Sequence, residues 1–196
     1  HSFLNNIILK NVFIICFLLC FVKLNATIWS VGASQTYPNP SDVVSLVNIG
    51  DTIEIDVGTY SGDFCTWNTD NLYIKGVGGY AHLDASGCTI PNLKSIWVIN
   101  GDNLIIEKIE FSGASVPDKN GAGIRMQGTN LTIRQCYFHD NENGVLAGDN
   151  RLSDILIEYS VFENNGYGDG LSQNMYINHI NIFFIFFKNC IIFDLY

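Results

Sequence analysis

Asn103-Leu-Ile-Ile-Glu-Lys-Ile-Glu-Phe111, Asn130-Leu-Thr-Ile-Arg-Gln-Cys-Tyr-Phe138 and Asp154-Ile-Leu-Ile-Glu-Tyr-Ser-Val-Phe162 are three versions of one nine-residue phrase. From Asn103 to Asn130 and from Asn130 to Asp154, the starts recur with a period in the twenties. Such a period marks a supersecondary unit stacked on copies of itself. Weaker versions flank the three, at Asn71–Val77 one repeat earlier and at Phe184–Cys190 one repeat later.

Aligning the five phrases produces apolar columns. The first holds Leu72, Leu104, Leu131, Ile155 and Ile185, and the second Ile74, Ile106, Ile133, Ile157 and Phe187. A third holds Val77, Ile109, Cys136, Ser160 and Cys190, and a fourth Phe111, Phe138 and Phe162. Asn71, Asn103, Asn130 and Asp154 fall at one turn, where amide side chains can bond along a stack. Asn130-Leu-Thr132 also matches a glycosylation acceptor, although its place at the opening of a strand disfavours modification. Glu107, Arg134 and Glu158 share an outward position and predict a ladder of opposite charges.

Between the phrases lie Gly- and Asn-rich turns and second short strands, Gly123–Gly128, Gly144–Gly148 and Asn174–Ile177. No segment of helical length and period interrupts them. Each coil can bury its apolar side only against its neighbours.

Before the phrases, Ile53, Ile55 and Val57 alternate with Glu54 and Asp56, the pattern of a half-buried strand, with Gly50-Asp51 and Gly58 as turns. Residues 27–48 form a lead-in. Tyr37-Pro-Asn-Pro40 forces extended or turning backbone. Ser41 then reads as the cap of a brief amphipathic helix, Asp42–Val47, covering the open end of the stack. Residues 49–196 are the repeats.

The unbroken apolar run Val12–Val22, with Lys10 before it and small Ala26 after it, has the length of a signal-peptide core. A spanning helix needs roughly 20 apolar residues, so residues 1–26 are expected to be a cleaved leader, with an uncleaved anchor as the alternative. The chain begins at His1 rather than Met and stops soon after the apolar stretch Ile180–Phe193, so a fragment truncated at its C-terminus is expected.

The 196 residues carry a formal charge of −9. Loss of residues 1–26 removes Lys10 and Lys23 and no acid, leaving 8 basic against 19 acidic side chains, or −11. That balance argues against nucleic acid, whose phosphates call for clustered Lys and Arg, and suits a soluble secreted chain with no membrane contact after leader removal. Acidic side chains could also hold Ca²⁺, although no calcium-loop spacing is present. Cys65, Cys88, Cys136 and Cys190 remain. Cys136 and Cys190 fall in the third column, two coils apart and too distant to bond; Cys65 with Cys88 is the disulfide candidate.

These residues resemble the right-handed parallel β-helix repeat proteins with the pectate-lyase-like fold. The resemblance rests on Gly50-Asp-Thr-Ile-Glu-Ile-Asp-Val-Gly-Thr-Tyr60, Ile74-Lys-Gly-Val-Gly-Gly79, the repeated Asn-Leu-x-Ile phrases and Phe138-His-Asp-Asn-Glu-Asn-Gly-Val145, and covers Gly50 to about Ile180. It implies an all-β solenoid and extracellular carbohydrate work: lyases, glycoside hydrolases, epimerases and members with no assigned activity. In the lyases it implies a cation that neutralises a uronate while Lys or Arg takes a proton. No local lyase motif lets a catalytic residue be carried over here.

The catalytic candidates are Arg125, which points away from the Ile124/Met126 side of its strand, His139 with Asp140 at a turn, and His179. A His beside carboxylates can act as acid or base near neutral pH, whereas an ordinary surface His is the simpler reading. Tyr167, Asp169 and Tyr176 are the ligand-binding candidates, the tyrosines as sugar-stacking faces. Asp140, Asp149 and Asp169 are the possible Ca²⁺ ligands. The expected function is action on, or binding of, extracellular polysaccharide by a lyase or hydrolase; a non-catalytic surface module binding glycan or protein is the alternative.

Overall fold

The computed structural model describes residues 26–148, 153–166, 172–177 and 182–193. The expected leader, apart from Ala26, lies outside the described residues, as do Asp149, Tyr167, Asp169 and His179. Among the described residues no helix is long and apolar enough to cross a membrane.

The backbone winds as a right-handed parallel β-solenoid of about five turns. After β1 (Ile28–Val31), each coil visits three faces. The first face takes the opening halves of β2 (Thr52–Ser61) and β4 (Tyr73–Asp84), then β6 (Ile105–Glu107), β9 (Leu131–Arg134), β12 (Ser153–Glu158) and β15 (Ile182–Lys188). The second takes the closing halves of β2 and β4, then β7 (Ile109–Ser112), β10 (Tyr137–His139), β13 (Val161–Glu163) and β16 (Ile191–Phe193). The third is a separate sheet of β3 (Cys65–Trp67), β5 (Ser95–Ile99), β8 (Ala122–Met126), β11 (Asn143–Ala147) and β14 (Met175–Ile177).

The register reproduces the aligned phrases. Ile74, Ile106, Ile133, Ile157 and Phe187 pair in sequence across the first face. Leu83, Phe111, Phe138 and Phe162 do so across the second. Phe111, Phe138 and Phe162 are fully buried and stack nearly parallel, centroids 5.0 and 4.7 Å apart, while Trp97 meets Phe111 edge-on. Room for this column comes from Gly123 and Gly144, adjacent across the third face. A Cβ on Gly123 would lie 2.8 Å from the Phe138 ring, and one on Gly144 2.8 Å from the Phe162 ring.

From the coil of β6 onward, each coil turns from the first face to the second through one residue in the left-handed region: Lys108, Gln135, Tyr159 and Asn189, with φ of 54°, 50°, 52° and 51°. The turn into the first face uses Asn71, Asn103 and Asn130 in the same conformation. There Asn130 Nδ2 donates to Asn103 Oδ1 at 2.9 Å, the expected amide ladder. A second ladder is buried at the exit from the second face: Asn141 donates to Asn165 Oδ1 and to the Phe111 carbonyl, both at 2.9 Å. Close by, the buried Glu142 carboxylate accepts from the backbone of Val116 and Gly121 and from Ser115 Oγ, pinning the loop before β8.

Four expectations are corrected. The lead-in carries no capping α-helix: Pro40–Asp42 is a single 3₁₀ turn, and hydrogen bonds from the Leu46 and Val47 amides to the Val43 carbonyl close one further turn. Asn39, not Ser41, opens it, its amide donating to the Asp42 carboxylate at 2.8 Å. A segment this short and rich in β-branched Val cannot offset the cost of helix nucleation, and the end of the stack is covered instead by β1 on β2, with Val43 and Val47 buried beneath. The third column contains Ala81 rather than Val77, because Gly76–Tyr80 bulges out of the ladder and leaves Val77 exposed. Val57 likewise faces solvent, since β2 turns its corner there and Tyr60 becomes the next buried residue. Cys65 and Cys88 are free thiols: Cys65 points into the core with Sγ 3.5 Å from Asp63 Oδ2, whereas the Cys88 thiol contacts the Ser86 carbonyl at 3.7 Å.

Asp51 ties the lead-in to the first coil. Its buried carboxylate accepts from the Thr27 amide at 2.7 Å, the Trp29 indole at 2.8 Å and the Asn48 amide at 2.8 Å. Burial favours its protonated form, but these donors outweigh it and hold the pKa below the ordinary value of 3.8. Its contribution to stability is therefore complete above the unfolded value of about 3.9 and is lost as pH falls through the lower folded value. In Asp51→Asn the acid-side slope of stability against pH should flatten, as read from denaturant midpoints over that window. Phe138→Ala should cost about 3–5 kcal/mol and Gly123→Ala about 1–3 kcal/mol; unchanged midpoints would show that the ring column is not close-packed.

Candidate functional site

Outward residues of the first face form a six-rung row of alternating charge, Glu54, Lys75, Glu107, Arg134, Glu158 and Lys188. Arg134 reaches Glu158 at 3.0 Å and Glu107 at 3.5 Å, Lys75 reaches Glu54 at 3.0 Å, and Lys188 reaches Glu158 at 3.4 Å. Every charge has an opposite neighbour one strand away, so the row is scaffold. It extends the expected Glu107–Arg134–Glu158 ladder by one rung after it and two before.

The second face is chemically richer. Inward Ala81, Leu83, Ile109, Phe111, Cys136 and Phe138 leave two outward columns: His82, Glu110 and Tyr137, then Asp84, Ser112, His139 and Glu163. His139 stands between two carboxylates, Nδ1 at 2.7 Å from Asp140 Oδ2 and Nε2 at 3.0 Å from Glu110 Oε1. His82 Nε2 lies 2.7 Å from Ser112 Oγ and 3.7 Å from the same Glu110 oxygen. Tyr137 stacks on His139, centroids 4.4 Å apart, and donates its hydroxyl to Glu163 at 2.7 Å. That hydrogen bond, with burial and the Glu163 charge, pushes the Tyr137 phenol up to about 12. Burial disfavours the His139 imidazolium, but Asp140 and Glu110 outweigh it, so its pKa rises above 6.5. Asp84, Glu110, Asp140 and Glu163 make this patch acidic.

Beside the cluster, the corner between first and second faces holds an open groove of about 460 Å³, lined by Gly78, Gly79, Tyr80, Lys108, Gln135 and Tyr159. Lys108, Gln135 and Tyr159 are the left-handed corner residues of successive coils, so their side chains project in one row. Tyr80 and Tyr159 are 40% and 45% exposed, so both rings present a face to the groove's solvent side. His82 and Glu110 follow Tyr80 and Lys108 closely on their strands, so groove and cluster adjoin. Burial raises the Tyr80 phenol, and Glu110 adds to that shift.

Of the residues singled out in the sequence, His139 and Asp140 lie in the cluster, and Glu163 occupies the His139 position one coil on. Arg125 and Tyr176 lie in the third-face sheet, separated in register by Leu146. The solenoid core divides them from His139, so these residues do not line one groove. His82, Glu110, Ser112 and the groove residues escaped notice. Lys108, Gln135 and Tyr159 all hold the sixth place of the nine-residue phrase, and Glu110 the eighth; reading those places as outward columns finds them. His82 stays hidden until the Gly76–Tyr80 bulge is recognised.

Ca²⁺ takes six to eight oxygen ligands. Among the described residues one group of three metal-capable side chains converges, His82, Glu110 and His139. Two of its three donors are imidazole nitrogens, and Asp140 is engaged by His139, so this group does not fit calcium.

The fold is similar to that of pectin methylesterase PemA from Erwinia chrysanthemi, with a TM-score of 0.51 at 14% identity over 82% of this chain. The chain spans 66% of the length of that esterase. A pectin methylesterase from Aspergillus niger aligns with a TM-score of 0.34 at 11% identity, covering 84% of this chain and 85% of that one. A search of curated proteins finds no match. The model of the family described as "Right handed beta helix region" matches residues 42–194, and with the observed solenoid this places the chain in that family.

Proposed function

We propose that this chain is a secreted β-helix protein that binds, and acts on, an extracellular acidic polysaccharide along the corner groove. The observation that carries the reading is the row Tyr80, Lys108, Gln135 and Tyr159. Tyrosine rings offer apolar faces to the C–H faces of sugars together with a polar tip, and the Gln135 amide suits sugar hydroxyls. Lys108 gives the groove a local cation that can pair with a uronate carboxylate, against the background of a chain whose formal charge is −9. The row climbs three strand spacings, roughly 14 Å, a length suited to a short oligosaccharide. A groove with apolar walls and a few convergent polar groups is the ordinary form of a ligand site.

Likeness to the esterases speaks for the fold alone, so pectin enters as one substrate to try. Action, as distinct from binding, would draw on the polar cluster of His82, Glu110 and His139 beside the groove. A non-catalytic module binding glycan through the same groove is the second reading, favoured by the engagement of His139 with carboxylates on both sides.

The test uses the full chain against polygalacturonate, pectin and neutral glucans. Calorimetry should show uronate binding that weakens about tenfold in Tyr159→Ala and Tyr80→Ala, as expected for a stacking contact of about 1–1.5 kcal/mol. Lys108→Met should lose uronate preference while keeping any neutral-glucan affinity. Absorbance of unsaturated ends, reducing ends or released methanol would mark turnover; binding without any of them selects the non-catalytic module. Binding indifferent to all three substitutions would overturn the groove.

A further inference from the structure

The geometry points to a transition-metal site of the Zn²⁺ class on the second face, with His82 Nε2, Glu110 Oε1 and His139 Nε2 as ligands. These three atoms lie within 4.8 Å of one another. Glu110 Oε1 is 3.0 Å from His139 Nε2 and 3.7 Å from His82 Nε2. A tetrahedral zinc with bonds of about 2.0–2.1 Å holds its ligand atoms about 3.4 Å apart, so the two separations from Glu110 bracket what the ion requires, and the two imidazole nitrogens lie within 4.8 Å of each other. Small rotamer adjustments complete the site.

The hydrogen bonds around His139 reinforce this reading. With Nδ1–H donated to Asp140 at 2.7 Å, the neutral ring presents the Nε2 lone pair to the Glu110 carboxylate at 3.0 Å. A carboxylate on the far nitrogen of a ligating imidazole is also the usual outer support of a metal-bound His, fixing its tautomer and raising its basicity. Asp140 is thus a positioning residue. Ser112, now 2.7 Å from His82 Nε2, has Asp84 Oδ1 at 3.5 Å as an alternative partner, so His82 can release it on ligation.

Two imidazoles and one carboxylate suit Zn²⁺ and its first-row neighbours rather than Ca²⁺ or Mg²⁺. β4, β7 and β10, which carry the ligands, are consecutive rungs: His82 and Glu110 are register partners, and His139, the partner of Ser112, lies diagonal to Glu110. The side chains of the three are only 24%, 21% and 18% exposed, yet they face outward, which leaves a fourth position open to water or to an oxygen of a bound molecule. Asp84, Glu110, Asp140 and Glu163 surround two imidazoles, which favours a cation electrostatically.

The test is zinc binding by the full chain, with Zn²⁺ alone as the probe. After chelation and gel filtration, titration should show one Zn²⁺ per chain, unaffected by millimolar Ca²⁺. His82→Ala, Glu110→Ala and His139→Ala should each weaken binding at least about a hundredfold, and Asp140→Asn about 10–100-fold, as for other outer-shell carboxylates. Melting in chelator checks that each variant folds. Should a variant fail to fold, the imidazole ¹⁵N resonances of His82 and His139 in the unaltered protein should both move on zinc addition. Substoichiometric binding, resonances that stay in place, or His139→Ala binding as tightly as the parent would overturn the site; Asp140→Asn matching the parent would overturn the positioning role.

Discussion

Parallel hydrogen bonding between successive coils, at one strand spacing, is the constraint on which everything else in this molecule depends. It places residues with the same slot in each repeat about 4.8 Å apart, so every side chain is answerable first to its copies above and below. Inward slots become columns of Ile and stacked Phe. Outward slots become alternating charge, as in the row from Glu54 to Lys188. Corner slots become amide ladders, on the surface at Asn103 and Asn130 and in the interior at Asn141 and Asn165.

The corners are where this regular scaffold turns into a surface with chemistry. Lys108, Gln135 and Tyr159 hold a left-handed backbone that non-glycine residues adopt at a cost of order 1–3 kcal/mol. The ladder on both sides over-determines that conformation, and the same geometry aims their side chains into one groove. Beyond it, the flat second face lets residues from three coils converge without any loop to place them. His82, Glu110 and His139 come from three successive coils; register pairs the first two, and the His139 side chain reaches diagonally from the next column to Glu110.

Irregularities in the repeat matter as much as its regularity. The bulge at Gly76–Tyr80 displaces Val77 and puts Ala81 into the column, and it needs glycine because a Cβ on Gly76 would collide with the Lys108 carbonyl. It thereby sets the register of His82 and brings Tyr80 to the groove's edge. Glu142 similarly anchors the loop before β8 through three donors that the phrase alignment does not contain.

By itself the sequence determined the architecture: three phrases beginning at Asn103, Asn130 and Asp154, with Ile, Leu and Phe at matching slots, allow only a stacked solenoid. The columns, the charge ladder around Arg134 and the amide ladder at Asn130 were legible for the same reason, since each depends only on which residues share a slot. His139 and Asp140 were legible as neighbours in the chain. The cap, the inward role of Ala81 and the meeting of His82 with Glu110 were decided only in three dimensions. They depend on where the backbone bulges or turns a corner, and that is set by close contacts between coils, such as Gly76 against Lys108, rather than by the pattern within any one of them.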